Sequence, residues 1–377
     1  MKLLPSGTAN LVGDGRVPKD TGPFSNPGCI FLDDISSDSW EALLPSILRD
    51  AGAGVSAGMI IRPLAGGVSS DIVRVALADG REYCAKRALT KLKVADDWQV
   101  PTERNHFEVA WFRRANSIVP HSAPDVFAED RERGIALLSY LSPDRYVLWK
   151  DELLAGRCDP RVPRSVADTI GQIHAATLMD SATAADFPTD ALFDALRMDP
   201  YLRTVAGRYS AIANQIHACI EVTRATKIAL VHGDLSPKNI LVSRDDAHPV
   251  ILDAECAWYG DPAFDGAFCL NHLVLKSIHM PSLAEPLLSQ AREFFALWLG
   301  HFPPDMRAEL EKRTATLLPC LMLARVDGKS PVEYLAPASQ QLVRDTAIPL
   351  INEAPRSMAA IFDAVAGALE LSSQGTS

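Results

Sequence analysis

"VHGDLSPKNILVSRDDAHPVILDAECAWYGDPAFD", residues 231–265, gathers seven carboxylates between short apolar runs. The runs "NILVS" and "VILD" have the composition of strands, so the acids separate by position along a hairpin-like stretch. H-G-D-x-x-x-x-N sets Asp234 and Asn239 on either side of a turn containing Pro237. Asp253 ends the run "VILD", fourteen residues beyond Asn239, and Glu255 follows two residues later. Phosphoryl transfer needs one carboxylate beside the attacking hydroxyl, and Mg²⁺ needs hard oxygen ligands, typically one or two carboxylates completed by phosphate and water. This stretch supplies both. Asp245 and Asp246 in "RDDAHP" read as a solvated hairpin tip, and Asp261 as the start of a turn before the next helix.

With 377 residues, 47% of them hydrophobic, the chain is long enough for two lobes with their own cores. A formal net charge of -10 argues against nucleic-acid binding, which relies on Lys and Arg neutralising phosphates. Seven scattered cysteines without a C-x-x-C pair point to free thiols in a reducing cytoplasm. Pro5, Ser6 and Gly7 interrupt the first apolar residues before a signal-peptide core can form, and no apolar run approaches the length of a membrane helix, so no membrane association is expected.

Residues 1–35, rich in Gly, Pro, Ser and Asp, read as a flexible extension. "SDSWEALLPSILRDAG" has Trp40, Leu44, Ile47 and Leu48 on one helical face, with Ser37 or Asp38 as cap and Gly52 as stop. From about residue 55 the period shortens to that of strands, with an Asp-Gly turn in "ADGRE", a helix at "TERNHFEVAWFRRAN" and a further strand pair ending in "IALLSYL". Residues 36–141 therefore read as a small α+β lobe. Helices dominate residues 142–377 apart from the opening stretch, with "PVEYLAPASQQLVRDTAI" among the segments expected to be helical.

"HGDLSPKN", "LDAE" and "GDPAFD", in that order, resemble the aminoglycoside phosphotransferase and choline kinase family, small-molecule relatives of the protein kinases. The resemblance spans residues 64–267 and implies a protein-kinase-like bilobal α+β fold, with a small antiparallel-sheet N-lobe and a mainly helical C-lobe. It implies ATP and Mg²⁺ as cofactors and a small-molecule hydroxyl as acceptor. Asp234 would orient that hydroxyl and take its proton. Asn239 and Asp253 would hold Mg²⁺, with Glu255 a direct ligand or the support of one, while His232 and Asp265 would brace the loop. Gly66, Gly67, Ser69 and Ser70 in "LAGGVSSDIVRV" would cover the phosphates. Lys86 would contact them from a strand, with Arg87 on the opposite face, paired to Glu108 or alternatively Glu103. Backbone groups at Ser139, Tyr140 and Leu141 would meet the adenine edge. His174, on an apolar helix face, reads as a satisfied core residue. Ser236 and Lys238 depart from the usual pattern of His and Gly; Lys238 is either a catalytic cation for the γ-phosphate or a solvated lysine.

The acceptor is not named by these motifs. "LFDALRMDPYLRTVAGRYS", with Arg197 and Arg203, and "LARVDGKSPVEYL", with Arg325, Asp327 and Lys329, are candidate acceptor segments or simply helix punctuation. "DAECAWYG" has the acid-x-Glu and aromatic-Gly of methylthioribose kinase, which adds a sugar to aminoglycosides and amino alcohols as candidates. The reading from another class is a nucleotide-binding pseudokinase that serves as a regulatory module. A degenerate site would be expected to lack one of Lys86, Asp234, Asn239 and Asp253, and all four are present.

Overall fold

The computed structural model describes residues 39–54, 58–64, 70–89 and 103–374. The expected N-terminal extension, the cap candidates Ser37 and Asp38, and the loop residues Gly66, Gly67 and Ser69 lie outside the described residues. Helix α1, Trp40–Asp50, is capped by Ser39, whose hydroxyl accepts from the Ala42 N–H at 3.3 Å, later in the chain than either expected cap. It buries Trp40, Leu43, Leu44, Ile47 and Leu48, the stripe that its 3.6-residue period dictates.

This stripe lies on a five-stranded sheet of β1 (Ile60–Pro63), β2 (Ser70–Ala76), β3 (Glu82–Ala88), β4 (Val126–Asp130) and β5 (Ile135–Ser139), antiparallel throughout in the order β1-β2-β3-β5-β4. Between β2 and β3 the chain reverses at Asp79 and Gly80, the latter at φ +86°, where a side chain would be strained. Alternation sorts the two faces: Val73, Val75, Tyr83 and Ala85 join the α1 core, while Ile72 and Lys86, paired across β2 and β3, face the other way. Arg87 points back to the α1 side, ion-paired to Asp71 at 3.2 Å and 5.2 Å from the Trp40 ring.

Helix α2, Arg104–Ile118, belongs to a different core. Its Val109, Trp111, Phe112 and Ala115 pack into the large apolar cluster of the helical lobe, not into the cluster under α1. That lobe continues with β6 (Tyr146–Leu148), α3 (Trp149–Leu154), α4 (Arg161–Ala176), α5 (Ser181–Asp186) and α6 (Asp190–Phe193). A π-helical segment, Asp194–Arg203, leads to α7 (Thr204–Arg208) and α8 (Ala213–Ala225).

The stretch quoted first forms four short strands. β7 (Ala229–Val231) pairs with β10 (Trp258–Gly260), and β8 (Ile240–Ser243) lies between β6 and β9 (Pro249–Ile251). Helices α9 (Ala263–His279), α10 (Ala284–Gly300), α11 (Pro304–Asp327), α12 (Pro337–Glu353) and α13 (Met358–Gln374) close the lobe. α12 begins at Pro337 with Ala336 as its N-cap, so the expected helix across "PVEYLA" is instead an irregular segment. A proline in the first turn needs no hydrogen-bond partner and pre-sets the helical φ, which fixes the start there. No described helix is long and apolar enough to cross a membrane.

Candidate active site

Asp265, in the first turn of α9, fixes the loop that begins at His232. Its two carboxylate oxygens accept the backbone N–H groups of His232 at 2.7 Å and Gly233 at 2.9 Å. His174 lies 3.1 Å from Asp265 Oδ2 through Nε2 and accepts the Trp298 indole N–H at Nδ1, 3.0 Å, with no exposed surface, the core role its apolar face suggested. His232 is buried too: Nε2 bonds the Leu252 carbonyl at 3.0 Å and Nδ1 accepts the Asp234 N–H at 3.1 Å. Burial holds its pKa below the usual histidine value, in keeping with that neutral tautomer. Gly233 has φ +78°, and a Cβ there would sit 2.3 Å from the Cys256 carbonyl oxygen, so only glycine fits between the two acidic segments.

This bracing aims Asp234 with its oxygens in unlike surroundings. Oδ2 receives Asn239 Nδ2 at 2.9 Å, Lys238 Nζ at 2.8 Å and Arg197 Nη2 at 3.0 Å. Oδ1 is buried without a partner. Burial alone would raise the Asp234 pKa, but Arg197 and Lys238 outweigh it and hold the carboxyl below its ordinary value. Arg197 reaches the loop from the π-helical segment, where the widened turn and Pro200 also set Tyr201 inward; its Nε donates to the Gly233 carbonyl. Arg203, six residues on, instead pairs with Asp199 and Asp194 and is a third exposed.

Across the cleft, Lys86 Nζ lies 2.8 Å from Glu108 Oε1, 2.8 Å from Asp253 Oδ1 and 3.0 Å from Glu255 Oε1. Burial opposes its charge, yet these three acids prevail and hold the ammonium well above the usual lysine pKa. The same burial, reinforced by the negative charges of Glu255 and Asp253, pushes the Glu108 carboxyl up to about 8 against the pull of Lys86. Glu103, the alternative partner, is exposed at the start of α2. Asp253 follows β9 in the left-handed region at φ 64°, a conformation costing about 1–3 kcal/mol and concentrated at functional sites. The turn sends its carboxylate to Lys86, with a third of the side chain exposed.

Glu255, expected as a direct metal ligand or the support of one, has both carboxylate oxygens engaged by protein donors. Oε1 accepts from Ser70 Oγ at 2.8 Å as well as from Lys86, and Oε2 from Arg104 Nε at 2.9 Å, so the side chain ties β2 and α2 to the acidic segment. Arg104 is a structural partner that sequence reasoning missed. Asp261 is likewise more than a turn residue: buried, it accepts the Ala263 N–H at 3.0 Å and pairs with Arg313 at 2.7 Å. Asp245 and Asp246 are exposed at the β8–β9 tip.

Ser70, Ile72, Lys86, Glu108, Leu138, Ser139, Tyr140, Leu141, Lys238, Asn239, Leu252 and Asp253 line one cavity of about 410 Å³ between the lobes. The lining combines leucines and Ile72 with lysines, Asp253 and Asn239. This combination matches a nucleotide, with an apolar slot for a base and cations for phosphates. Asn239 spends its amide N–H on Asp234, which leaves its carbonyl oxygen beside Asp253 on the cavity lining as a hard donor. No group of three or more His, Cys, Asp or Glu forms a metal cage among the described residues. A site of one carboxylate and one amide oxygen is what Mg²⁺ takes when phosphates and water complete its shell.

Comparison with known proteins bears on the fold and the family. Over 227 residues the chain is 22% identical to methylthioribose kinase from Pectobacterium atrosepticum, covering 53% of this chain and 56% of that protein, so it spans about half the length of the curated relative it matches. An ethanolamine kinase from Plasmodium vivax superposes with a TM-score of 0.50 at 12% identity, covering 79% of this chain and 84% of that one; the likeness is one of fold, kinase-like with a sheet lobe and a helical lobe. Residues 60–302, which hold every side chain of the cavity and its loop, match the model of the phosphotransferase enzyme family, and the chain belongs to that family.

Proposed function

We propose that this chain is a small-molecule kinase that moves the γ-phosphoryl group of ATP, with Mg²⁺, to an alcohol. The observation that carries the reading is the unpartnered Oδ1 of Asp234, set beside a cavity that gathers Lys86, Lys238, Asn239 and Asp253 against an apolar wall. Mg²⁺ would be held by Asn239 and Asp253, and when bound it neutralises charge on the phosphate oxygens.

The three donors on Oδ2 keep Asp234 anionic and oriented, so Oδ1 accepts the hydrogen bond of the acceptor hydroxyl. A carboxylate held at low pKa is too weak a base to ionise an alcohol in advance. The proton therefore passes to Asp234 only as the new O–P bond forms and the bond to the leaving ADP breaks, which suits a loose transition state. Lys238, half exposed and touching both Asp234 and the cavity, is placed to offset charge on the transferred group. Lys86 serves the phosphates, and Glu108 and Glu255 position it. Ser139, Tyr140 and Leu141 border the slot for adenine. The similarity to methylthioribose kinase favours a sugar-like alcohol as acceptor. The six free thiols among the described residues fit a cytoplasmic setting.

The test is ADP release, measured in a coupled assay over sugars, amino alcohols and aminoglycosides, alongside MgATP binding by calorimetry. Asp234→Ala is expected to lower kcat by about 10²–10⁴-fold with MgATP binding intact. Unchanged turnover in that variant would refute its role, and MgATP binding without ADP release for any acceptor would favour the regulatory reading.

A further inference from the structure

Beyond Asp234 the helical lobe holds a second polar cluster that the phosphate chemistry does not use. The Tyr201 ring links them, its centre 5.7 Å from the Arg197 guanidinium carbon on one side and 5.7 Å from that of Arg325 on the other. Arg325, near the end of α11, is 7% exposed; Nη1 donates to Tyr201 Oη at 3.2 Å and Ser330 Oγ at 3.0 Å, and its buried Nε has no partner. Lys276, on α9, is 1% exposed, with its ammonium 5.0 Å from the Tyr334 ring centre. Neither cation has a carboxylate within 4 Å among the described residues. Beside them, His272 Nε2 and the Tyr334 hydroxyl are buried without partners.

The surroundings reinforce the sign. The charges that act on His272 come from Arg325, Lys276, Lys238 and Lys150, all cationic. The carboxylate that acts on Lys276 is Glu333, which is already paired with Lys150. Burial first, and then Lys150 and Arg325, bring the Lys276 ammonium down to about 8. Arginine has no such escape, since it does not deprotonate in proteins, and a buried cation without a counter-charge is costly. On a chain of net charge -10 this is a local inversion of charge, placed one aromatic ring away from the hydroxyl-orienting carboxylate.

We infer that Lys276, Arg325 and His272 receive an anionic group of the acceptor, so that the phosphorylated molecule is a hydroxy compound bearing a carboxylate or a phosphate ester, not a polycation. The inference rests on the kinase reading of the site. Tyr334 covers Lys276 and Glu333 pairs with Lys150, so an anion reaching the cluster would have to displace the segment between α11 and α12.

Two arms test it with the full chain. In the first, D-glycerate, glycerol 3-phosphate, glycerol and ethanolamine are compared as ligands by thermal shift and calorimetry, without nucleotide. Binding by either anionic probe, weakened tenfold or more in Lys276→Met and Arg325→Met and recovered in part by Arg325→Lys, supports the inference; the two anions tell carboxylate from phosphate. Equal binding of the neutral, cationic and anionic probes, or anion binding indifferent to both Met variants, overturns it. MgATP binding in each variant confirms that it folds. In the second arm, ADP release is measured with hydroxy acids, sugar phosphates, neutral sugars and aminoglycosides. Turnover confined to neutral or cationic acceptors overturns the inference and leaves the kinase reading standing. Anion binding without ADP release for any acceptor supports the anion site and removes the kinase reading.

Discussion

Arg197 and Asp234 meet at 3.0 Å, guanidinium to Oδ2, and the contact sets both the direction and the acidity of the carboxylate. Removing the guanidinium as Arg197→Met takes away the first of the two cations that offset burial, so the Asp234 pKa rises. Asp234 must be ionised to accept a proton. The acid limb of the kcat/KM profile is therefore expected to move to higher pH in the variant, with kcat reduced at neutral pH; an unshifted limb would show that another group governs it. The sign for stability follows from the same lowered pKa. The ion pair stabilises the fold above the unfolded-state pKa of an aspartate, and that stability is lost as pH falls through the lower folded value. The parent should accordingly lose more stability on acidification than Arg197→Met does, as read from urea unfolding at a series of pH values.

Asp253 and Asn239 are the hard oxygen donors on the cavity lining. Chelation with EDTA is expected to abolish ADP release and to weaken ATP binding, and added Mg²⁺ to restore both. In Asp253→Ala calorimetry should show ATP affinity that no longer responds to Mg²⁺. A Mg²⁺ response that persists in the variant would move the metal to other ligands.

Gly233 makes the left-handed turn of the loop. In Gly233→Ala the left-handed backbone costs about 1–2 kcal/mol and the methyl group meets the Cys256 carbonyl. We expect a loss of at least about 2 kcal/mol in urea unfolding, together with a fall in kcat from displacement of Asp234. Parent-like stability would show that the loop has another low-energy path.

Much of the site was legible because its parts lie close together in the chain. Asp234, Asn239 and Asp253 fall within twenty residues, on strands and turns too short to place them elsewhere, and strand alternation was enough to send Lys86 inward and Arg87 outward. Glu108 and Glu103 needed the structure, since only packing decides which turn of α2 meets β3. Arg197 and Arg203 looked alike in sequence. A π-helical turn does not follow the 3.6-residue period from which a face is read, and it sends one to Asp234 and the other to surface acids. Arg104 was hidden because its partner, Glu255, is 151 residues away. Lys276 sits in the apolar helix α9 and Arg325 directly follows the apolar run at residues 317–324 of α11, where periodicity marks core and says nothing of which buried positions are charged. Asp327, grouped with Arg325 in sequence, turns outward to Tyr209 and Arg344 and only anchors helices.

Helix α2 has a divided allegiance. Its Glu108 grips Lys86 of the sheet, while Trp111, on the next turn, stands edge-on to the His232 ring with centroids 4.8 Å apart and planes at 87°. Its apolar residues lie in the core of the helical lobe, whereas the outer face of the sheet packs on α1. Glu108 therefore rides in the reference frame of the catalytic loop, and Lys86 in that of the strands. Any hinge motion that opens the cleft must stretch the Lys86–Glu108 bond, which makes that single contact a gauge of how far the two lobes have parted.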